Sequence, residues 1–122
     1  MSAHQMVCHL ADAFRAVTGE KLVSPDTRLL NRTIVKWAAL YVPLQWPAGI
    51  PTRPELDQER GGTRPRDFAT DVAQLETLLE LVTARSRSLD RRSHPMFGKM
   101  SDAAWLRWGY LHMDHHLRQF GA

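Results

Sequence analysis

The stretch Asp102-Ala103-Ala104-Trp105-Leu106-Arg107-Trp108-Gly109-Tyr110-Leu111-His112-Met113-Asp114-His115-His116-Leu117-Arg118-Gln119 is preceded by Ser101 and followed, after one residue, by Gly121. A serine ahead of an acidic first turn starts a helix, and a glycine just past a basic last turn stops one, so the segment reads as a helix from Asp102 to about Gln119. Successive helical residues turn by about 100°, which places His112 and His116 on one face a turn apart and leaves His115 roughly 80 to 100° away. Trp105, Gly109, Gln119 and Phe120 share the face of the pair, while Arg107, Asp114 and Arg118 lie opposite. The pair therefore faces inward, and two imidazoles inside a protein need hydrogen bonds, a proton or a metal.

Working outward, the rest of the chain is also helical. Ser2 is an N-cap candidate for a first helix that runs to about Thr18, where Gly19 stops it, with Met6, Leu10, Phe14 and Val17 as its apolar stripe. After the turn Ser24-Pro25-Asp26, a second helix is expected from about Arg28 to Val42, ended by Pro43, with Leu29, Leu30, Ile34, Trp37, Leu40 and Tyr41 apolar. Residues 43–66 hold Pro43, Pro47, Pro51, Pro54 and Pro65 together with Gly61-Gly62, which reads as an extended loop packed down through Trp46 and Ile50. From Asp67 to about Ser86, Phe68, Val72, Leu75, Leu79 and Val82 follow the four-and-three spacing of a bundle seam, with Asp67 and Asp71 at the start and Arg85 at the end, as the helix dipole prefers. The turn His94-Pro95-Met96-Phe97-Gly98 leads into the last helix, either fixing the angle between the final two helices or covering a site. No strand-like alternation and no repeat appears. The expectation is an all-α helical bundle forming one domain over residues 1–122, with its loop at 43–66.

Composition narrows the function classes. With 43% apolar and 24% charged residues the 122-residue chain is an ordinary globular one, and no apolar run approaches the length of a membrane span. No secretory leader stands at the N-terminus, so the expected address is cytoplasmic. The formal charge of +3 is scattered. Arg53, Arg60, Arg64 and Arg66 fall in the loop and Arg85, Arg87, Arg91 and Arg92 after the third helix, so no helix carries the basic face that would point to nucleic acid. The single cysteine, Cys8, excludes an internal disulfide and a zinc site of thiolates alone, and reads as a small buried hydrophobe.

Two imidazoles at i, i+4 are what two metal ligands on one helix require. A third candidate is His9, which shares a face of the first helix with Gln5, Ala13 and Ala16, whereas His4 points about 140° away. Three histidines plus solvent make the open coordination of a reactive divalent metal, and zinc, nickel, copper and iron all suit it. Asp12, flanking His9, is the candidate acceptor for fixing its tautomer, and Gln119 the candidate for orienting a ligand or substrate. His115 and Asp114 read as packed or solvated. On the residues alone, satisfied core histidines remain the equal alternative.

The ending His112-Met113-Asp114-His115-His116-Leu117-Arg118-Gln119-Phe120-Gly121, the preceding His94-Pro95-Met96-Phe97-Gly98-Lys99-Met100-Ser101 with Trp105, and the opening Ser2-Ala3-His4-Gln5-Met6-Val7-Cys8-His9-Leu10 together resemble the DinB-like superfamily. The resemblance implies a four-helix bundle with a metal held by one histidine of its second helix and a His-x-x-x-His pair of its last, which map to His9, His112 and His116. It also implies chemistry of the thiol transferase or isomerase type, with a low-molecular-weight thiol such as bacillithiol or mycothiol and a small-molecule substrate. Superfamily members carry a further helix ahead of the segment matching Ser2 to Leu10, with a tryptophan where Met1 stands. The first bundle helix is therefore expected to be missing or supplied by a partner, and the protein to be a homodimer. The competing expectation is a non-catalytic bundle that works by association, with a structural metal or none.

Overall fold

The structure, a computed structural model, describes residues 1–26, 28–84, 89 and 92–122. Among them are four α-helices: α1 (Ala3–Thr18), α2 (Lys36–Tyr41), α3 (Phe68–Thr83) and α4 (Asp102–Gln119). A π-helical stretch, Asn31–Val35, runs into α2, a 3-10 turn covers Pro54–Leu56, and two-residue strands β1 (Ser93–His94) and β2 (Gly98–Lys99) pair antiparallel. The chain divides into two compact units, Met1–Val23 with Thr52–Ser88, and Ser24–Pro51 with Leu89–Ala122. Among the described residues no helix is long and apolar enough to cross a membrane.

In the first unit, α1 starts on a reciprocal cap. Ser2 Oγ accepts from the Gln5 amide at 3.1 Å, and Gln5 Oε1 accepts from the Ser2 amide at 2.7 Å, so two of the amides that a helix start leaves unbonded are satisfied. The helix ends at Gly19, whose φ of 83° is cheap only without a Cβ. From Met6 to Phe14 every residue of α1 is buried, far more than the expected stripe, so its polar members must find partners inside. α3 is capped by Asp67, which accepts from the amide and hydroxyl of Thr70 at 2.9 and 2.6 Å. It packs on α1. Its buried line is Asp71, Leu75, Leu78 and Val82, which shifts the expected seam: Phe68 is 53% exposed, and Leu78 with Asp71 lies inside. Arg85, Ser86, Arg87 and Arg91, named in the expected helix end and basic linker, lie outside the described residues.

The second unit departs further from expectation. Asp26 ties its beginning down: its amide donates to the Pro95 carbonyl at 2.6 Å, and its carboxylate takes bonds from the Arg28 side chain, the Arg28 amide and Asn31. Those Arg28 bonds hold the carboxyl well below the usual range. The expected second helix forms, but as a wide π turn followed by a short α2. Thr33 Oγ1 donates to the Leu29 carbonyl at 3.0 Å, the local side-chain bond that competes with the α-helical ladder. Of its apolar residues only Leu40 is buried, while Leu29, Leu30, Ile34, Trp37 and Tyr41 are all more than half exposed.

Two further corrections concern loops. The extended segment after Pro43 does pack down through Trp46, whose Nε1 donates to the Ala39 carbonyl at 2.8 Å, but Ile50 is 48% exposed. The described residues are mostly helical, as expected; what the expectation lacked is the small β1–β2 hairpin, which forms because His94 Nδ1 accepts from the Met96 and Phe97 amides at 3.0 and 3.1 Å and Gly98 supplies a φ of 71°. The last helix matches its reading. Ser101 accepts from the Ala104 amide at 3.2 Å and α4 runs Asp102–Gln119.

Candidate metal centre

α4 turns Trp105, Trp108, Gly109, His112 and His116 to its buried side, as the spacing of its residues requires. The His112 and His116 rings lie 4.8 Å apart by their centroids, each 8% exposed. Trp108 stands 4.7 Å from His112, and Trp46 reaches it from the loop at 6.2 Å. Gln119 Oε1 lies 3.1 Å from His116 Nδ1 while its Nε2 lies 3.2 Å from His115 Nε2, so one amide orients both rings. An amide oxygen only accepts, so Nδ1 of His116 carries a proton, and in the neutral ring the lone pair is at Nε2. Phe120, expected on the inward face, is 41% exposed because the helix has ended. Arg107 stays on the outer side, bonding the Leu40 carbonyl and covering the Tyr41 ring at 5.4 Å. The buried pair His112 and His116 can hold a metal ion.

His9, in the first unit, is 4% exposed, and its Nδ1 donates to the Leu56 carbonyl at 2.9 Å. The 3-10 turn at Pro54–Leu56 supplies that carbonyl, and the bond at Nδ1 leaves Nε2 on the far side of the ring. His9 also edges a small cleft with Gln5, Leu56 and Gln58.

Asp12 is not the acceptor for His9. It is 0% exposed and its carboxylate serves Arg15 Nη1 at 2.9 Å, Lys21 Nζ at 3.0 Å, the Thr63 amide at 2.7 Å, the Thr63 hydroxyl at 2.8 Å and Gln58 Nε2 at 3.4 Å. Burial pushes its pKa up, but the bonds from Thr63 and Lys21 win and the group is held below 3.8. The reason is geometric: the segment at 57–63 folds over α1 through Gly62, where a Cβ would come within 2.8 Å of the Asp57 carbonyl oxygen. That brings Thr63 onto Asp12, and the Leu56 carbonyl onto His9 instead.

A second cluster escaped the sequence reading. His4 Nε2 lies 2.6 Å from Asp71 Oδ2, the Cys8 thiol 3.7 Å from the same oxygen, and the Arg66 amide donates to it at 3.1 Å. The Arg66 and His4 bonds hold Asp71 below its usual range. Cys8 is 2% exposed, as expected of a buried cysteine, and burial together with the Asp71 charge pushes its thiol to about 11. The available signal was the i, i+4 spacing of His4 and Cys8, the same as that of His112 and His116.

His94, expected only as a turn residue, is itself buried, stacked on Phe97 at 4.6 Å and against Trp105 and Trp108 at 5.4 and 4.9 Å. Burial, with Lys36 adding to it, lowers its pKa to about 3, so the ring is a neutral acceptor for the turn amides.

No curated protein and no solved structure matches the chain. Residues 2–122 match the family described as "Protein of unknown function (DUF1569)", so nearly the whole chain is accounted for by one family, and the protein belongs to it.

Proposed function

We propose that the protein is a DinB-like metalloprotein of the four-helix-bundle type in which His9, His112 and His116 hold one divalent metal ion, zinc, nickel or iron. The observation that carries this is the pinning of the rings. His9 Nδ1 is bonded to the Leu56 carbonyl and His116 Nδ1 to the Gln119 amide oxygen, so each neutral imidazole would have its lone pair at Nε2, the tautomer and outer-shell support of metal-ligating histidines.

Three neutral imidazoles leave a coordination position open, and a divalent ion there favours the deprotonated form of a thiol. The reaction class we propose is accordingly that of a thiol-dependent transferase or isomerase acting on a small molecule. Of this chain's residues, Gln119 positions His116 and Leu56 positions His9. Trp46 and Trp108 flank His112 and keep bulk water from it.

Metal content by mass spectrometry, on protein purified without tag or chelator, tests the site. The double variant His112→Ala/His116→Ala should contain about one equivalent less than wild type while keeping its helical circular dichroism. Equal metal content in the two proteins after supplementation with zinc, nickel and iron would sink the reading. The alternative, a bundle acting by association, draws support from the exposed apolar residues at 29–41. It predicts that metal loss in the double variant, if it occurs, takes the fold with it.

A further inference from the structure

We propose that His4, Cys8 and Asp71 form a second metal site, for a thiophilic divalent ion such as zinc, independent of the three-histidine reading. One ligand atom from each lies within 4.8 Å of the other two. All three residues belong to one compact unit and to two helices that pack on each other, α1 and α3. His4 and Cys8 stand one turn apart on α1, and Asp71 meets them from the first turn of α3.

The arrangement has the chemistry of a zinc site. Thiolate, imidazole and carboxylate are the ligand types zinc takes, and one thiolate plus one carboxylate neutralise a dication in a place where net charge is costly. In a tetrahedral site with ordinary bond lengths, sulfur and oxygen ligands stand about 3.5 Å apart, and nitrogen and oxygen about 3.3 Å. The Cys8 Sγ to Asp71 Oδ2 distance of 3.7 Å already fits, while His4 Nε2 and Asp71 Oδ2, now 2.6 Å apart, must separate by roughly 0.7 Å to admit the ion. His4 can supply that movement, since it sits in the first turn of α1 with 26% of its side chain exposed. The same opening gives the ion its way in and leaves room for a water as fourth ligand. The arrangement is also hard to explain as packing alone. The His4 ring, the Cys8 thiol and the Arg66 amide converge on one carboxylate oxygen, and a single dication replaces the two side-chain protons that now bridge to it.

Binding balances simply. The Cys8 S–H bond breaks, its proton leaves to solvent, and a sulfur–metal bond forms. The His4 Nε2–H bond that now points at Asp71 also breaks; in the neutral ring a proton is regained from solvent at Nδ1, so no net proton leaves His4, and Nε2 ligates, while Asp71 is already ionised.

Because Cys8 is the chain's single cysteine, a sulfur-to-metal electronic transition reports this cluster alone. The experiment is an anaerobic titration of metal-free, full-length protein with cobalt(II) as the zinc surrogate, followed by absorbance. The expected result is a sulfur-to-cobalt charge-transfer band in the near ultraviolet that saturates by about two equivalents in wild type, where the three-histidine site takes cobalt without giving such a band, and is displaced by zinc. It should persist in His112→Ala/His116→Ala, vanish in Cys8→Ser, and need about tenfold or more cobalt in His4→Ala. Circular dichroism checks that each variant is folded, and proton release on zinc addition, about one proton from the Cys8 thiol, gives a readout in His112→Ala/His116→Ala that leaves this cluster intact. No charge-transfer band in wild type at excess cobalt, or no proton release with zinc in His112→Ala/His116→Ala, would overturn the proposal. So would a band unchanged in His4→Ala, which means a lone thiol, or one lost in His112→Ala/His116→Ala, which means that the sulfur serves the other site.

Discussion

The two units solve the same problem, polar side chains in a buried place, in opposite ways. In the first, Asp12 is buried as a charge and surrounded by cations and donors from Arg15, Lys21, Thr63 and Gln58. In the second, His94 is buried as a neutral ring, with two backbone amides on one nitrogen and aromatic faces around it. The first solution depends on ionisation, the second on its absence. Their responses to mutation and pH should therefore differ, and the difference shows which unit limits the stability of the whole chain.

Removing the buried charge should have the largest effect. Asp12→Ala strands Arg15, Lys21 and the Thr63 amide around a hole, and breaking a buried pair of this kind costs about 3–5 kcal/mol. Urea unfolding of wild type and variant checks it, and a loss below about 1 kcal/mol, the range of an exposed ion pair, would break the contrast between the units.

pH sharpens the contrast. His94 has its folded pKa lowered from 6.5 to about 3, so between those values the unfolded chain binds the proton that the folded chain refuses. Its contribution is full above pH 6.5 and is lost as pH falls toward 3, with a slope of up to about 1.4 kcal/mol per pH unit. Asp12 and Asp71 are lowered from 3.8, so their contribution is full above that value and is lost only as pH falls below it, through their folded pKa values. Stability measured from pH 7 to 4 should accordingly decline in wild type, and the decline should flatten in His94→Asn, which keeps an acceptor for the turn amides and does not titrate. An unchanged slope in that variant would show that His94 is not the group responsible.

The smallest effect on stability belongs to the exposed apolar residues of the second unit. Ile34→Lys and Trp37→Glu should change unfolding free energy by no more than about 0.5 kcal/mol, as surface substitutions do. If this face, with its exposed Leu30, Ile34 and Trp37, meets a second copy of the chain, sedimentation velocity should show the wild type as a dimer and both variants as monomers. A monomeric wild type at micromolar concentration would remove the homodimer.

Much of the first level of structure was legible in the residues. Ser2 and Ser101 mark two helix starts because each supplies an oxygen within three residues of the amide it must cap, and Asp67, read only as an acid at the positive end of a helix, caps a third through Thr70. The inward aim of His112 and His116, and the reach of Gln119 to His116, follow from helical geometry alone. The π turn was not legible, since it depends on how Thr33 spends its hydroxyl, and neither was the phase of the α3 seam. An aspartate reads as surface, and nothing near Asp71 in sequence announces that His4, 67 residues away, will pair with it.

By itself, then, the sequence determined the helix ends and the spacing of histidines along α4, because caps and i, i+4 relations act within one or two turns. Only the tertiary structure decided which polar groups are buried and what satisfies them. Asp12 is stable inside because Thr63, 51 residues away, is folded onto it, His9 is pinned by a carbonyl 47 residues away, and His4 and Cys8 share a carboxylate from another helix. The desolvation of a polar group is offset only by a partner in contact with it, and contact between distant residues is a property of the folded chain.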